Sequence, residues 1–185
     1  MPGLADLEAV VGLAPSLDPD WIRSLARETG IVGPVRFEPG GQTIFDAIDV
    51  AVTKPGSVTV ELMLRERPMV VVGRIHPLTA AIASLSAQVS SVAMPNLIAG
   101  KVIVPELLQG DATPDRIAAS LAPLFADPMA ALAVAKEPTA EKRVPSPAAR
   151  NQIEALRRAR SLLGLPGATA RTAQLVEEML GTAAS

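Results

Sequence analysis

The chain has no cysteine, and with it go disulfides, thiolate metal sites and a cysteine nucleophile. A single histidine leaves little from which to build a metal cluster, so neither a metal nor another cofactor is expected. Aromatic side chains make up only 2% of the residues, too few for base-stacking platforms. Charge of one sign is also lacking: 17 basic and 19 acidic side chains leave a net −2, which gives nucleic acid no electrostatic hold. Apolar runs are broken by Pro, Gly or charge well before the ~20 residues that a membrane span needs. The start, Met1-Pro2-Gly3-Leu4-Ala5-Asp6, does not carry the basic stretch and long apolar run of a secretory signal. These absences point to a soluble, cytoplasmic protein without a nucleic-acid partner, in contact with the inner face of the cell membrane at most peripherally.

What is present is a hydrophobic content of 49% in 185 residues, enough for a real core in a chain of single-domain length. Glu8 to Leu13 is a short apolar run closed by Ala14-Pro15, the pattern of a buried parallel strand. Asp18-Pro19-Asp20 supplies a cap, a first-turn proline and an early acid for a helix carrying Trp21, Ile22 and Leu25, stopped at Gly30. The same grammar repeats. Val35-Arg36-Phe37 reads as a strand, Thr43 to Ala47 as a helical turn, and Asp49 to Thr53 as a strand ending at Pro55-Gly56. Ser57 caps a helix from Val58 to Arg65, and Met69 to Val72 is the most pronounced strand. His76-Pro77-Leu78-Thr79 leads into an Ala-rich helix, and Val89 to Met94 reads as the last strand. Alternation of this kind predicts an α/β fold, a Rossmann-like parallel sheet with helices on both faces.

Past Asn96 the pattern changes. Asp111 to Asp115 caps a helix running to about Phe125, and Lys136 to Pro147 is charged and proline-containing. Ala148 to Leu163 is an amphipathic helix with Ile153, Leu156, Leu162 and Leu163 toward a core and arginines outward. Gly164-Leu165-Pro166-Gly167 ends it before a terminal helix. The expected organisation is a Rossmann-like domain over residues 1–135, a linker over 136–147 and a helical segment over 148–185.

Three segments carry a resemblance. They are Pro55-Gly56-Ser57-Val58-Thr59-Val60-Glu61-Leu62 followed by Pro68-Met69-Val70-Val71-Val72; Pro95-Asn96-Leu97-Ile98-Ala99-Gly100; and Val104-Pro105-Glu106-Leu107-Leu108-Gln109. In order and spacing they resemble the lipid-A-disaccharide synthases, which carry a Ser-Gly-Thr-x-x-x-Glu helix start before Pro-Met-Val-Val, then Leu-Pro-Asn-Leu-x-Ala-Gly, then Pro-Glu-Leu-Leu-Gln. The resemblance covers Asp49 to Phe125 closely and the rest loosely. It implies the C-terminal, nucleotide-sugar-binding half of a GT-B fold, in which two Rossmann-like domains face each other across a cleft.

In an open parallel sheet, ligands sit beyond the carboxyl ends of the strands, and a Gly-Ser turn opening a helix there offers backbone N–H groups and a dipole end to a diphosphate. Gly56, Ser57 and Val58 occupy such a turn. Glu61, one helical turn on, can accept from ribose hydroxyls, the part a Glu plays in related sugar-nucleotide transferases. Asn96 can donate to and accept from the sugar or phosphate. Glu106 and Gln109, three apart, can face one ligand from a helical turn. Taken singly, each has a plainer reading: a capped turn, a solvated carboxylate, a turn amide, surface residues, and for His76 a turn histidine rather than a general base.

What the resemblance implies is a metal-independent transfer of 2,3-diacylglucosamine from its UDP donor to 2,3-diacylglucosamine 1-phosphate, with inversion. The acceptor site and the catalytic base belong to the family's N-terminal domain, of which this sequence shows no trace, so a second polypeptide supplying that domain is an expected partner beside the UDP-sugar. The family's C-terminal domain opens with a strand ending in Gly-Ser-Arg, and the strand at Glu8 to Leu13 resembles the family's second. In the order 3-2-1-4-5-6, loss of strand 1 leaves two inner edges unpaired, which predicts pairing with another polypeptide or marginal stability. Pro55 and Gly73 depart from the family's Ser and Tyr, and Ala83 to Gln88 lacks its basic residues. Two other expectations stand beside the transferase. One is a remnant that binds a sugar nucleotide or a protein partner without turnover; the other is a 2-epimerase on the same fold, against which Pro95 to Gly100 argues.

Overall fold

A computed structural model describes residues 7–29, 35–40, 42–74, 91–125 and 145–182. The alternation of strand and helix read from the sequence is present. β1 (Ala9–Leu13) is followed by α1 (Pro19–Glu28), β2 (Val35–Pro39), α2 (Gln42–Ala47), β3 (Ala51–Thr53), α3 (Ser57–Leu64) and β4 (Met69–Gly73). Then come α4 (Met94–Ala99), β5 (Glu106–Leu108), α5 (Pro114–Leu121), α6 (Pro147–Ser161) and α7 (Ala168–Thr182), with single 3-10 turns at Gln109–Asp111 and Ala122–Leu124. The chain is an α/β protein with parallel sheets flanked by helices, as a Rossmann-like half of a GT-B fold requires.

Caps explain the helix starts. The Asp18 carboxylate accepts from Asp20 N at 2.9 Å with Pro19 in the first turn, and Thr113 Oγ1 accepts from Arg116 N ahead of α5. Ser146 Oγ accepts from Ala149 N at 3.0 Å and donates to Pro123 O at 2.6 Å, so one hydroxyl both opens α6 and fastens it to the preceding 3-10 turn. Gly40 closes β2: its N–H meets Leu13 O, and a Cβ there would come within 2.6 Å of that same oxygen.

The strands form two sheets. β1 pairs with β2, and β3, β4 and β5 pair in that order, every pairing parallel. Among the described residues the two sheets are not hydrogen-bonded to one another. In the three-stranded sheet, side chains alternate cleanly between two covered faces. Met69 and Val71 join Leu62, Met63, Ala93, Val104, Leu156 and Ala159 in one cluster beneath α3, α4 and α6. Val70 joins Leu107 and Leu124 on the other face, with Ile117 and Leu121 of α5 packed against them.

Polar contacts fasten α6 and α2 to this core. Gln152 Oε1 accepts from Met69 N at 2.7 Å in a buried position. Arg160 donates to Leu64 O at the carboxyl end of α3, and Arg157 grips Glu66 with Nε and Nη2 at 3.1 and 2.6 Å. The Arg157 guanidinium holds the Glu66 carboxyl below the usual carboxylate range, opposed by partial burial. Arg67 donates to Phe45 O and Asp46 O, satisfying the end of α2.

Several sequence expectations are corrected. Among the described residues the last strand is Glu106–Leu108, and Ser91 to Met94, the described part of the strand expected at Val89 to Met94, is not one: Met94 opens α4, and the N–H groups of Val92 and Ala93 are taken by the Glu106 carboxylate instead of a sheet ladder. The same strand replaces the helical turn expected for Glu106 to Gln109. Gly56, not Ser57, is the N-cap of α3, without a side-chain cap. Leu162 and Leu163 are exposed, because α6 ends at Ser161 and meets the core through Ala149, Gln152, Leu156 and Ala159. Lys136 to Val144 of the expected linker, His76 and Ala83 to Gln88 lie outside the described residues. No described helix is long and apolar enough to cross a membrane.

Candidate functional site

The carboxyl ends of β3, β4 and β5 define one end of the three-stranded sheet: the segment from Pro55 begins there and Gln109 lies there, whereas Glu106 is the first residue of β5, at the opposite end. After β3 the chain turns through Pro55 and Gly56 into α3. Gly56 has φ 148° and ψ −169°, a conformation that side-chain-bearing residues rarely adopt, and a Cβ at this position would meet nothing within 4 Å. Backbone shape, not crowding, therefore demands glycine. Thr59, fully buried, locks the turn: its hydroxyl donates to Gly56 O at 2.7 Å and its N–H to the same oxygen at 3.1 Å. Gly56, Ser57 and Val58 are exposed. The first N–H groups of α3 have no partner within the helix, so the turn presents donors and the positive end of the helix dipole together. Glu61 lies one turn along the same helix, half-buried.

Asn96 and Glu106 are brought together, and both are occupied by backbone. Asn96 Nδ2 donates to Glu106 Oε1 at 2.7 Å and Val104 O at 3.0 Å, while its Oδ1 accepts from Ile103 N at 2.7 Å and Val104 N at 2.9 Å. The side chain is 1% exposed. Glu106 accepts from Val92 N on Oε2 at 2.9 Å and from Ala93 N on Oε1 at 3.0 Å, the oxygen that also takes Asn96 Nδ2. The pair thus fixes the entry into α4 and the reversal from α4 to β5, with Gly100 at φ 65° completing the helix end. Every polar atom of Asn96 is spent in this way.

Gln109 follows β5 with φ 52°, one of two described non-glycine residues at positive φ, and its carbonyl accepts from Arg74 Nε at 3.2 Å. Arg74 follows β4, so this contact ties two strand ends together at the same end of the sheet. Sequence reasoning did not single out Thr59 or Arg74. The signal for Thr59 was present, a hydroxyl three residues after a glycine cap; Arg74 carries none without the fold. Gly73 and Pro55 prove to be neighbours: a Cβ on Gly73 would stand 3.2 Å from both Pro55 Cγ and Leu108 Cδ2. The two departures from the family pattern therefore lie side by side, and a side chain larger than glycine on β4 would crowd the proline beyond β3. Among the described residues no three acidic or imidazole side chains gather as a metal site would need.

The family model described as lipid-A-disaccharide synthetase matches residues 8–154. The chain belongs to that family. Lipid-A-disaccharide synthase of Anaeromyxobacter sp. (strain K) is 39% identical over 178 residues, 95% of this chain and 40% of the relative. The protein of that name from Myxococcus xanthus is 33% identical over 174 residues, 94% of this chain and 40% of the relative. That of Pectobacterium carotovorum is 47% identical over 81 residues. The chain spans 40% of the length of the first two relatives and corresponds to the C-terminal portion of the family.

Proposed function

We propose that this chain is the donor-binding part of a glycosyltransferase of lipid A biosynthesis, acting on UDP-2,3-diacylglucosamine and 2,3-diacylglucosamine 1-phosphate. The observation that carries the reading is the Gly56-Ser57-Val58 turn, exposed at the carboxyl end of β3 and opening α3, in a chain of the lipid-A-disaccharide synthetase family. In this reading the free N–H groups of the turn take the diphosphate and stabilise it as it departs. Glu61 takes ribose hydroxyls, and Gln109 reaches the ligand from the end of β5. Asn96 and Glu106 enter as positioning residues that hold the loops on either side of α4, since their polar atoms are already engaged. The base that deprotonates the acceptor 6-hydroxyl comes from another domain, corresponding to the portion of the relatives that this chain does not span.

Calorimetric titration with UDP tests the donor reading. Binding is expected for the chain and a several-fold weaker affinity for Gly56→Ala, which strains the turn, with an unchanged far-UV spectrum confirming that the variant is folded. No heat at millimolar UDP would end the reading. A second reading, a sugar-nucleotide-binding or partner-binding protein without turnover, is favoured by the division of the described strands into two separate sheets. UDP release from donor and acceptor, assayed with and without the N-terminal portion of a relative, separates the two.

A further inference from the structure

Arg74 stands in the middle of the carboxyl end of the β3–β5 sheet. β4 lies between β3 and β5, and the pairings of Thr53 with Val71 and of Gly73 with Leu108, carried past the strands, set Gly56 on one side of Arg74 and Gln109 on the other. Contacts support that extension. A Cβ on Gly73, the residue before Arg74, would stand 3.2 Å from the ring of Pro55, the residue before Gly56, and Arg74 Nε donates to Gln109 O at 3.2 Å. Neighbouring strands run about 4.8 Å apart, so a ligand seated on the Gly56 turn lies within reach of an arginine side chain.

The way this guanidinium is held leaves its charge unspent. Most described arginines face a carboxylate, among them Arg65 with Asp46 and Arg157 with Glu66. Arg74 is exposed and makes no ion pair among the described residues. Its partner is a neutral backbone carbonyl, which occupies Nε and leaves the donors of Nη1 and Nη2 over. That carbonyl belongs to Gln109, whose φ of 52° lies in the left-handed region that side-chain-bearing residues enter only at a cost. A guanidinium oriented in this way, without a carboxylate partner, suits an oxyanion, because its planar fork meets phosphate oxygens in pairs.

We propose that Arg74 is a ligand-binding residue of the donor site, its Nη groups taking the diphosphate of the nucleotide while Nε stays on Gln109 O. The identity of the nucleotide rests on the donor reading above; the part played by the guanidinium is separable from it. Arg74 supplies a full charge and the Gly56 turn supplies backbone dipoles to one and the same group. Gln109 then serves twice, its carbonyl aiming Arg74 and its side chain facing the ligand.

The test is calorimetric titration of the whole chain, of Arg74→Gln and of Arg74→Lys with UDP and with inorganic pyrophosphate, at several salt concentrations. Arg74→Gln should weaken both ligands about tenfold or more, the worth of a charge-assisted contact. It should also flatten the fall of UDP affinity with salt, since the screened charge is gone. Arg74→Lys keeps the charge and gives up the Nε contact and the fork, so it should lie between the two and keep the salt dependence. Far-UV spectrum and melting temperature should hold in both variants, the side chain being exposed. If Arg74 only ties β4 to β5, the Gln and Lys variants will lose affinity alike and the salt dependence will not change, which would overturn the proposal. Undiminished binding of UDP and pyrophosphate by Arg74→Gln would overturn it too, and the donor reading would then stand without Arg74. Pyrophosphate binding that Arg74→Gln loses, in a chain that gives no heat with UDP, would end the donor reading and keep Arg74 as an anion-binding residue. No heat with either ligand would end both.

Discussion

The two parallel sheets are written in similar residues but are covered very differently. In the β3–β5 sheet, Met69, Val70 and Val71 have no exposed surface, because α3, α4 and α6 cover one face and α5 with the following 3-10 turn covers the other. In the β1–β2 sheet, Leu13 is the only buried residue of β1, none of α1 is buried, and Trp21 and Leu25 are 56% and 43% exposed. Apolar content therefore does not separate the two regions; the number of layers does. A strand with a helix on one side and a strand on one edge buries half of what the same sequence buries at the centre of a sheet. The consequence is an uneven distribution of stability, concentrated around α6 and β4.

Leu156→Ala sharpens this contrast most. Leu156 is wholly buried where α6 meets α3 and β4, so truncation leaves a cavity costing about 2–5 kcal/mol, a large share of a domain's stability. Urea unfolding followed by far-UV dichroism should show the midpoint fall accordingly. A loss below about 1 kcal/mol would mean that α6 is not part of the cooperative core.

The strand and helix grammar was legible because periodicity and caps are local: Asp18-Pro19, Thr113-Pro114 and the Met69 run each declare themselves within a few residues. Errors arose where a distant group decided the outcome. Val92 and Ala93 read as strand until Glu106, thirteen and more positions away in sequence, takes their N–H groups. Leu162 and Leu163 read as core because periodicity does not reveal where a helix stops touching its neighbour. At the candidate site, the Gly56 turn was legible from its glycine and position after a strand. The duty of Asn96 was not, since a turn amide after proline looks the same whether it faces a ligand or, as here, holds Ile103, Val104 and Glu106. Pro55 and Gly73 looked like unrelated departures until the sheet placed them side by side.

A smaller effect sharpens the comparison at the junction of α3 and α6, where Glu66 accepts from Arg157. Glu66→Gln should lower the melting temperature at pH 7 by a few degrees at most, as expected of a partly solvated ion pair. The folded-state pKa of Glu66 lies below its ordinary value of 4.5, so its contribution is complete above that value and fades as pH falls through the lower, folded-state value. Melts of the two proteins should therefore differ at neutral pH and converge only once the pH has fallen below the lowered, folded-state value. A gap that stays constant with pH would show that the loss comes from packing and not from the charge.

The smallest effect is expected in the thinly covered sheet. Trp21 is the sole tryptophan and the largest side chain on α1, and replacing such a residue in a packed core costs about 3–5 kcal/mol. Here more than half of its surface is already in water, so Trp21→Ala should shift the dichroism-monitored urea midpoint by no more than about 0.5 kcal/mol. A core-sized loss would erase the difference between the two sheets and imply that α1 of the isolated chain is covered in solution by a second copy, which sedimentation of the same sample would reveal.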